Sequence, residues 1–302
     1  RKVMEAAEKY KRIVQHGTQQ RSSASRAKEI AAVKSGKYGK LVVSKGYCCK
    51  PRWSIGNKPT KAAPSELDFN IWLGPAAEQS YHENLVHLPG ITHPAPERAL
   101  IVGGGDGGSA EELLKYPSMK KVTLAEIDMA VVDVSRKYLA SVHKGSLDDP
   151  RLDLRIGDGF AYVRETSDTF DLIVLDLTDP GGPSLELYTP AFYRACASRL
   201  TMLGAMALHI ASPIAHPDRI RQTLVSLRSA FSIVTPYLTS VPLYGGLWMM
   251  ACCSATIDPR KLSAPEIDRR IAQRGITDLQ YYNGEMHRAA LAMPNFVRAL
   301  VS

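Results

Sequence analysis

From Glu97 onward the chain alternates between continuous apolar runs and segments whose apolar residues recur at helical spacing. "RALIVGG", beginning at Arg98, is bounded by glycine and precedes a helix candidate from Ser109 to Lys115. "KVTLAEID" then reads as a second strand and "MAVVDVSRKYLASV", Met129 to Val142, as a second helix. "LDLRIGDG" with "FAYVRET", and "FDLIVLD" with "TPAFYRACASRL", repeat the alternation. "GAMALHI" makes a fifth strand and "PDRIRQTLVSLRSAF" another helix, while Met249-Met250 beside Trp248 reads as a buried last strand. Unbroken apolar strands separated by helical units predict an α/β fold with a parallel sheet covered on both faces. Such sheets bind ligands at the carboxyl ends of their strands.

The first part of the chain reads differently. Val3, Met4, Ala7, Tyr10 and Val14 give Arg1 to His16 a helical spacing, and Gly17 to Lys28 turns polar and Ser-rich. Lys40 to Ser44 is a short strand candidate, and Pro51 to Pro64 a solvated connection. Residues 1–62 hold 16 Lys and Arg against 3 Asp and Glu, a net charge of +13. The remaining 240 residues carry 22 against 27, a net of −5. The overall +8 therefore describes neither part. An acidic body favours a cationic small molecule over a polyanion, so nucleic acid is not expected as its partner.

The 302 residues, 45% hydrophobic and 23% charged, suit one large domain or a main domain with a smaller companion. No apolar run reaches the roughly 18 residues of a membrane span. The absence of a charged-then-apolar leader predicts a cytoplasmic location. Cys48-Cys49, Cys196 and Cys252-Cys253 lack the spacing of metal sites or secreted disulfide frameworks and read as free thiols. No metal site is expected, because His16, His87, His93, His143 and His216 lack ligand partners at suitable spacing.

The candidate chemistry lies at the strand ends. "GGGDGGSAEELL", Gly103 to Leu114, lies where the first strand becomes a helix, with Ser109 read as the helix cap. Glu126 follows Asp106 by twenty residues and closes the second strand, where nucleotide folds place an acid for ribose hydroxyls. Asp106 sits where a dinucleotide's pyrophosphate would lie and would repel it. An adenosine carrying positive charge fits better, which points to the S-adenosylmethionine class. In "RIGDGF", Asp158 and Gly159 close the third strand, where adenosine-binding sheets place an acid for the adenine amino group. "IVLDLTDPGGP" places Asp176 and Asp179 at the mouth of the fourth, a costly pairing unless a cation or a proton meets them.

Seven segments in order, "SYHENLVH", "GGGDGG", "EID", "GDGF", "DLTDPGGP", "PLYGG" and "YYNGEMHRAA", make the span from Gly74 to Val301 resemble the polyamine aminopropyltransferases, the spermidine synthase family. The resemblance implies a Rossmann-like, methyltransferase-type seven-stranded sheet with a small N-terminal β domain. Residues 1–85 would form the basic leader and that β domain, and 86–302 the catalytic domain. It implies transfer of an aminopropyl group from decarboxylated S-adenosylmethionine, a co-substrate and not a resident cofactor, to a di- or polyamine. Putrescine is the family's default acceptor, giving spermidine and methylthioadenosine, and a homodimer or homotetramer its usual assembly. Matched position by position, Asp176 is the base and Tyr81 and Tyr244 line the amine site. His82 contacts the polyamine, and Asp106 and Asp179 hold ammonium groups. Glu126 takes the ribose, Asp158 and Gly159 the adenine, Pro183 packs beside the nucleoside, and Gly103 belongs to the donor loop.

Elementary chemistry agrees. An alkylamine, with a pKa near lysine's of about 10.4, is protonated at neutral pH and has no lone pair until a base takes the proton. The sulfonium is already a good leaving group. Three departures stand out. The family's "LDG..Q" glutamine is unmatched around "VVSKGYCCKPRW", and Leu177 replaces a small polar residue. In addition, "LHIASPIAHPDR" offers His209 and Ser212 where many members have acids. The competing readings are a methyltransferase using the intact cofactor, whose carboxylate Asp106 would repel, and a non-catalytic protein binding through its basic leader.

Overall fold

The computed structural model describes residues 75–178, 182–241, 244 and 246–301, with a few positions between 28 and 37. The chain divides into two compact units, Arg1–Ala62 and Ala63–Ser302. The expected leader helix, the Lys40–Ser44 strand, the Pro51–Pro64 connection, Cys48-Cys49 and His16 lie outside the described residues.

The second unit is built on a seven-stranded sheet in the order β3-β2-β1-β4-β5-β7-β6. Its strands are β1 (Arg98–Gly103), β2 (Lys121–Glu126), β3 (Leu152–Ile156), β4 (Phe170–Asp176), β5 (Leu200–Ala211), β6 (Ile233–Val241) and β7 (Gly246–Ser254). The first five pair in parallel, as the apolar runs predict. β7 runs antiparallel to both β5 and β6, so the sheet is mixed and not wholly parallel. The reason is chain length: β6 ends at Val241 and β7 begins at Gly246. That gap is far shorter than the dozen or so residues a parallel crossover needs.

Alternation along each strand sorts the core into two layers. Ala99, Ile101, Leu172 and Val174 pack on one face with Leu85, Leu88 and Tyr116. Leu100, Val102, Ile173 and Leu175 pack on the other with Phe192, Leu224 and Leu227. The helices are α1 (Pro75–Thr92), α2 (Gly108–Leu114), α3 (Met129–Tyr138), α4 (Ala140–His143), α5 (Gly159–Glu165), α6 (Pro190–Ser198), α7 (Pro217–Arg228), α8 (Ala264–Gln273), α9 (Gly284–Leu291) and α10 (Asn295–Val301). The single helix expected over Met129–Val142 is broken at Leu139, which leaves helical geometry. Adjacent Cys252 and Cys253 face opposite core layers, as a strand requires, and burial pushes the Cys252 thiol up to about 12.

Helix α1 carries no periodic signal because its described residues from Ser80 to Thr92 are buried all round. Most of its polar side chains find partners, although Asn84 Oδ1 is buried without one. The Asn84 amide donates to the Ser80 carbonyl and to Thr239 Oγ1. His87 meets Tyr116 Oη at 2.9 Å and Glu112 Oε2 at 2.8 Å. Glu83 accepts the backbone N–H groups of Gln280, Tyr281 and Tyr282 at 2.8, 2.9 and 2.7 Å. The "YYNGEMHRAA" segment therefore serves the architecture by closing over α1, the helix that carries Tyr81 and His82. No helix among the described residues is long and apolar enough to cross a membrane.

Candidate active site

The strand order reverses between β1 and β4, and the crevice opens at their carboxyl ends, as open α/β sheets require. There Gly103 and Asp176 are register partners. Gly103 has φ +79°, and a Cβ on it would stand 2.2 Å from the Asp176 carbonyl oxygen, so only glycine fits. Two residues on, a Cβ on Gly105 would lie 2.8 Å from Glu126 Oε2, which instead accepts the Gly105 N–H at 3.1 Å. The glycine loop thus lets the ends of three strands converge on a cavity of about 420 Å³.

Gly103, Asp106, Glu126, Asp158, Gly159 and Asp176 all line this cavity, as does Tyr244. Glu126 is set by two backbone amides, Gly105 and Asp128. Asp158 caps α5 by accepting the Phe160 N–H at 2.8 Å. Asp179 lies outside the described residues, and Pro183 is described only through its backbone, in the 3-10 helix Gly182–Tyr188.

Asp176 is the centre of the arrangement. Tyr81 Oη donates to its Oδ1 at 3.0 Å and Ser109 Oγ to its Oδ2 at 2.6 Å. His82 Nε2 stands 3.7 Å from the same Oδ2 and 3.5 Å from Asp106 Oδ2. Burial, reinforced by the Asp106 charge, raises the Asp176 carboxyl above its usual value. His82 and the hydrogen bonds from Ser109 and Tyr81 pull it only part of the way back. Burial opposes a charge on His82, but Asp106, then Asp176 and Glu112, outweigh it and raise the imidazole to about 9. For Asp106 burial works upward, and the His82 charge with the Gly108 N–H overcomes it and holds the carboxyl low. Burial and Asp176 keep the Tyr81 phenol protonated, so it remains a donor. One atom each of His82, Asp106 and Asp176 lies within 4.8 Å of the others, spacing that can surround a small cation.

Ser109 departs from its expected role. The cap of α2 is Gly107, in left-handed geometry with no side-chain cap bond, and Ser109 turns its hydroxyl to Asp176 instead. Its signal in the sequence was its place at the end of the glycine loop, three residues past Asp106. The phenol that reaches Asp176 is Tyr81's. Tyr244 lines the cavity with its ring 5.8 Å from Tyr81's, nearly perpendicular. Of the histidines read as ordinary, His87 is bonded through both nitrogens, and His93 Nδ1 accepts the Ala95 N–H. His143 Nδ1 accepts the Gly145 N–H, while its Nε2 is buried without a partner.

The sheet order and a carboxylate-lined cavity at its switch point define an α/β protein of methyltransferase-like fold with a candidate site at the strand ends. Comparison with known proteins narrows this class. A family model described as Spermine/spermidine synthase domain matches residues 78–261. A polyamine aminopropyltransferase of Nitrosomonas europaea is 53% identical over 222 residues, covering 74% of this chain and 68% of the relative. One from a Thermoanaerobacter species is 41% identical over 219 residues, covering 72% and 76%. Among solved structures, a spermidine synthase in complex with the transition-state analogue AdoDATO superposes with TM-score 0.69 at 36% identity over 74% of this chain and 75% of that one. The spermidine synthase of Thermotoga maritima gives 0.66 at 35% identity, covering 74% of each chain. The chain belongs to the spermine/spermidine synthase family and is a transferase.

Proposed function

We propose that this protein moves the aminopropyl group of decarboxylated S-adenosylmethionine to a di- or polyamine, with putrescine as the default acceptor, giving spermidine and methylthioadenosine. The observation that carries the reading is Asp176: a largely buried carboxylate, oriented by two hydroxyl donors, at the rim of an acid-lined cavity. A solved relative that binds AdoDATO supports the choice of donor.

In this reading Glu126 accepts the ribose hydroxyls, and Asp158 with Gly159 receives the adenine. Pro183 packs beside the nucleoside. Asp106, Asp179 and His82 line the amine's course, and Tyr81 and Tyr244 flank it. The reacting nitrogen arrives as an ammonium beside Asp176, which binds the cation and takes one proton. The freed lone pair forms the new N–C bond, while the C–S pair returns to sulfur and leaves a neutral thioether. The raised Asp176 carboxyl suits this work, because a stronger base takes the proton more readily. Most of the rate enhancement comes from holding nitrogen, carbon and sulfur in line.

Asp106 argues against the methyltransferase alternative. It lines the cavity and is held ionised, so it would repel the carboxylate of intact S-adenosylmethionine. Calorimetry with both donors tests this, and tighter binding of the carboxylated form overturns it. Incubation with decarboxylated donor and a panel of diamines and longer polyamines, read by mass, tests the reaction itself. We also propose a homodimer or homotetramer in the cytoplasm, checked by light scattering and cell fractionation.

A further inference from the structure

His209 stands on β5 where the resemblance leads one to expect acids gripping the far end of the amine, so an imidazole there invites the same role. Its hydrogen bonds say otherwise. Trp248 Nε1 donates to His209 Nδ1 at 3.3 Å. An indole N–H can only donate, so Nδ1 must be bare and the single proton of a neutral ring must sit on Nε2. Tyr188 Oη lies 2.9 Å from that Nε2. The Tyr188 hydroxyl also donates to the Thr178 carbonyl at 2.9 Å, which leaves its oxygen to accept from His209. Every proton in this chain, Trp248 to His209 to Tyr188 to Thr178, points the same way. A second proton on Nδ1 would face the indole donor and break it.

Both ends of the chain reach the site. Tyr188 closes the 3-10 helix whose Ser184 and Leu187 line the cavity, and Thr178 lines it too. Trp248 packs its ring 4.9 Å from Tyr244's, and Tyr244 stands against Tyr81, the phenol bonded to Asp176. His209 itself is 3% exposed and its bond with Trp248 is buried, while the outer members of the chain, Thr178 and Tyr244, reach the exposed surface of the cavity.

We infer that His209 is a neutral positioning residue that ties together the two walls of the site, the donor wall through Tyr188 and Thr178 and the amine wall through Trp248 and Tyr244. It supplies no charge to the acceptor. The assignment of one substrate to each wall rests on the proposed aminopropyl transfer; the hydrogen-bond chain does not.

Two substitutions cut the tie on opposite sides. In His209→Asn the amide oxygen takes the place of Nδ1 toward Trp248, but nothing reaches Tyr188. In His209→Gln the longer amide can donate to Tyr188 but withdraws from Trp248. A lost neutral hydrogen bond corresponds to roughly three- to tenfold in binding. We therefore expect His209→Asn to raise KM for the decarboxylated donor by that factor with the amine KM within about twofold. His209→Gln is expected to do the reverse. Both KM values unchanged in both variants, or the same KM rising in both, overturns the inference. A second readout needs no turnover and so fails independently of the proposed reaction. In long-range proton–nitrogen correlation spectra of the labelled full chain, the resonances lost in His209→Gln must show the neutral ring protonated at Nε2. The pattern of an Nδ1–H tautomer or an imidazolium there refutes it.

Discussion

Tyr81 Oη donates to Asp176 Oδ1 across 3.0 Å, joining residues 95 positions apart and fixing α1 to the end of β4 at the proposed base. This bond stabilises the ionised carboxylate, so its loss has a sign as well as a size. In Tyr81→Phe the Asp176 carboxyl rises further, and the acid limb of kcat/KM against pH moves to higher pH. A hydrogen bond to a charged group contributes roughly 1.5–3 kcal/mol, so turnover at neutral pH should fall about ten- to a hundredfold. An acid limb that stays in place in the variant refutes this role for Tyr81.

Asp176→Asn keeps the shape of the site and removes the base. Base catalysis typically supplies about 10²–10⁴ in rate, and turnover with saturating donor and amine is expected to drop by that factor. Near-normal turnover, measured by methylthioadenosine release, would remove Asp176 from the mechanism.

His82 is charged at neutral pH because Asp106 and Asp176 hold its imidazole up to about 9. A group whose folded pKa exceeds its unfolded value of about 6.5 contributes stability that is complete below that value. The contribution is lost as pH climbs through the folded pKa. Unfolding by urea should thus show wild-type stability falling between about pH 7 and pH 10, with a flatter profile for His82→Gln. Parallel profiles would mean that the imidazole is neutral in the folded protein.

Gly105→Ala places a methyl group 2.8 Å from Glu126 Oε2 and must push that carboxylate aside. Because Glu126 is assigned to the nucleoside, KM for the donor should rise roughly tenfold, the scale of one charge-assisted hydrogen bond, with the amine KM unchanged. A rise confined to the amine KM would place Glu126 on the other substrate.

Glu83 accepts three backbone N–H groups from inside the protein. Glu83→Gln turns one of its oxygens into a donor facing donors. Leaving such a buried group unsatisfied costs about 1–3 kcal/mol, to be read as a lower urea midpoint at constant slope. An unchanged midpoint would show that the Tyr281–Ala290 segment is held by other contacts.

Much of this protein is legible in one dimension. The apolar runs at Ala99–Val102, Val122–Ala125 and Leu172–Leu175 announce buried strands, and their spacing by helices makes them parallel. Once strands run parallel, their carboxyl ends share an edge, so Asp106, Glu126, Asp158 and Asp176 meet at one cavity without any knowledge of coordinates. Helix α1 escapes such reading because burial on every face erases the periodicity that marks a helix. The reversal at β7 escapes the burial pattern, which is the same for either direction of a covered strand, and is marked only by the short connection from Val241 to Gly246.

Periodicity and chain direction are local properties, so the order of residues alone sets the layers, the edge where the chemistry collects and the sign of charge gathered there. Which side chain answers which is settled by the packed molecule: Ser109 and Tyr81 on Asp176, Glu83 on the backbone at 280–282, and Trp248 and Tyr188 on His209. A hydrogen bond depends on position to within a few tenths of an ångström and on the direction of one proton. Residues far apart along the chain acquire that accuracy only when the core between them has packed.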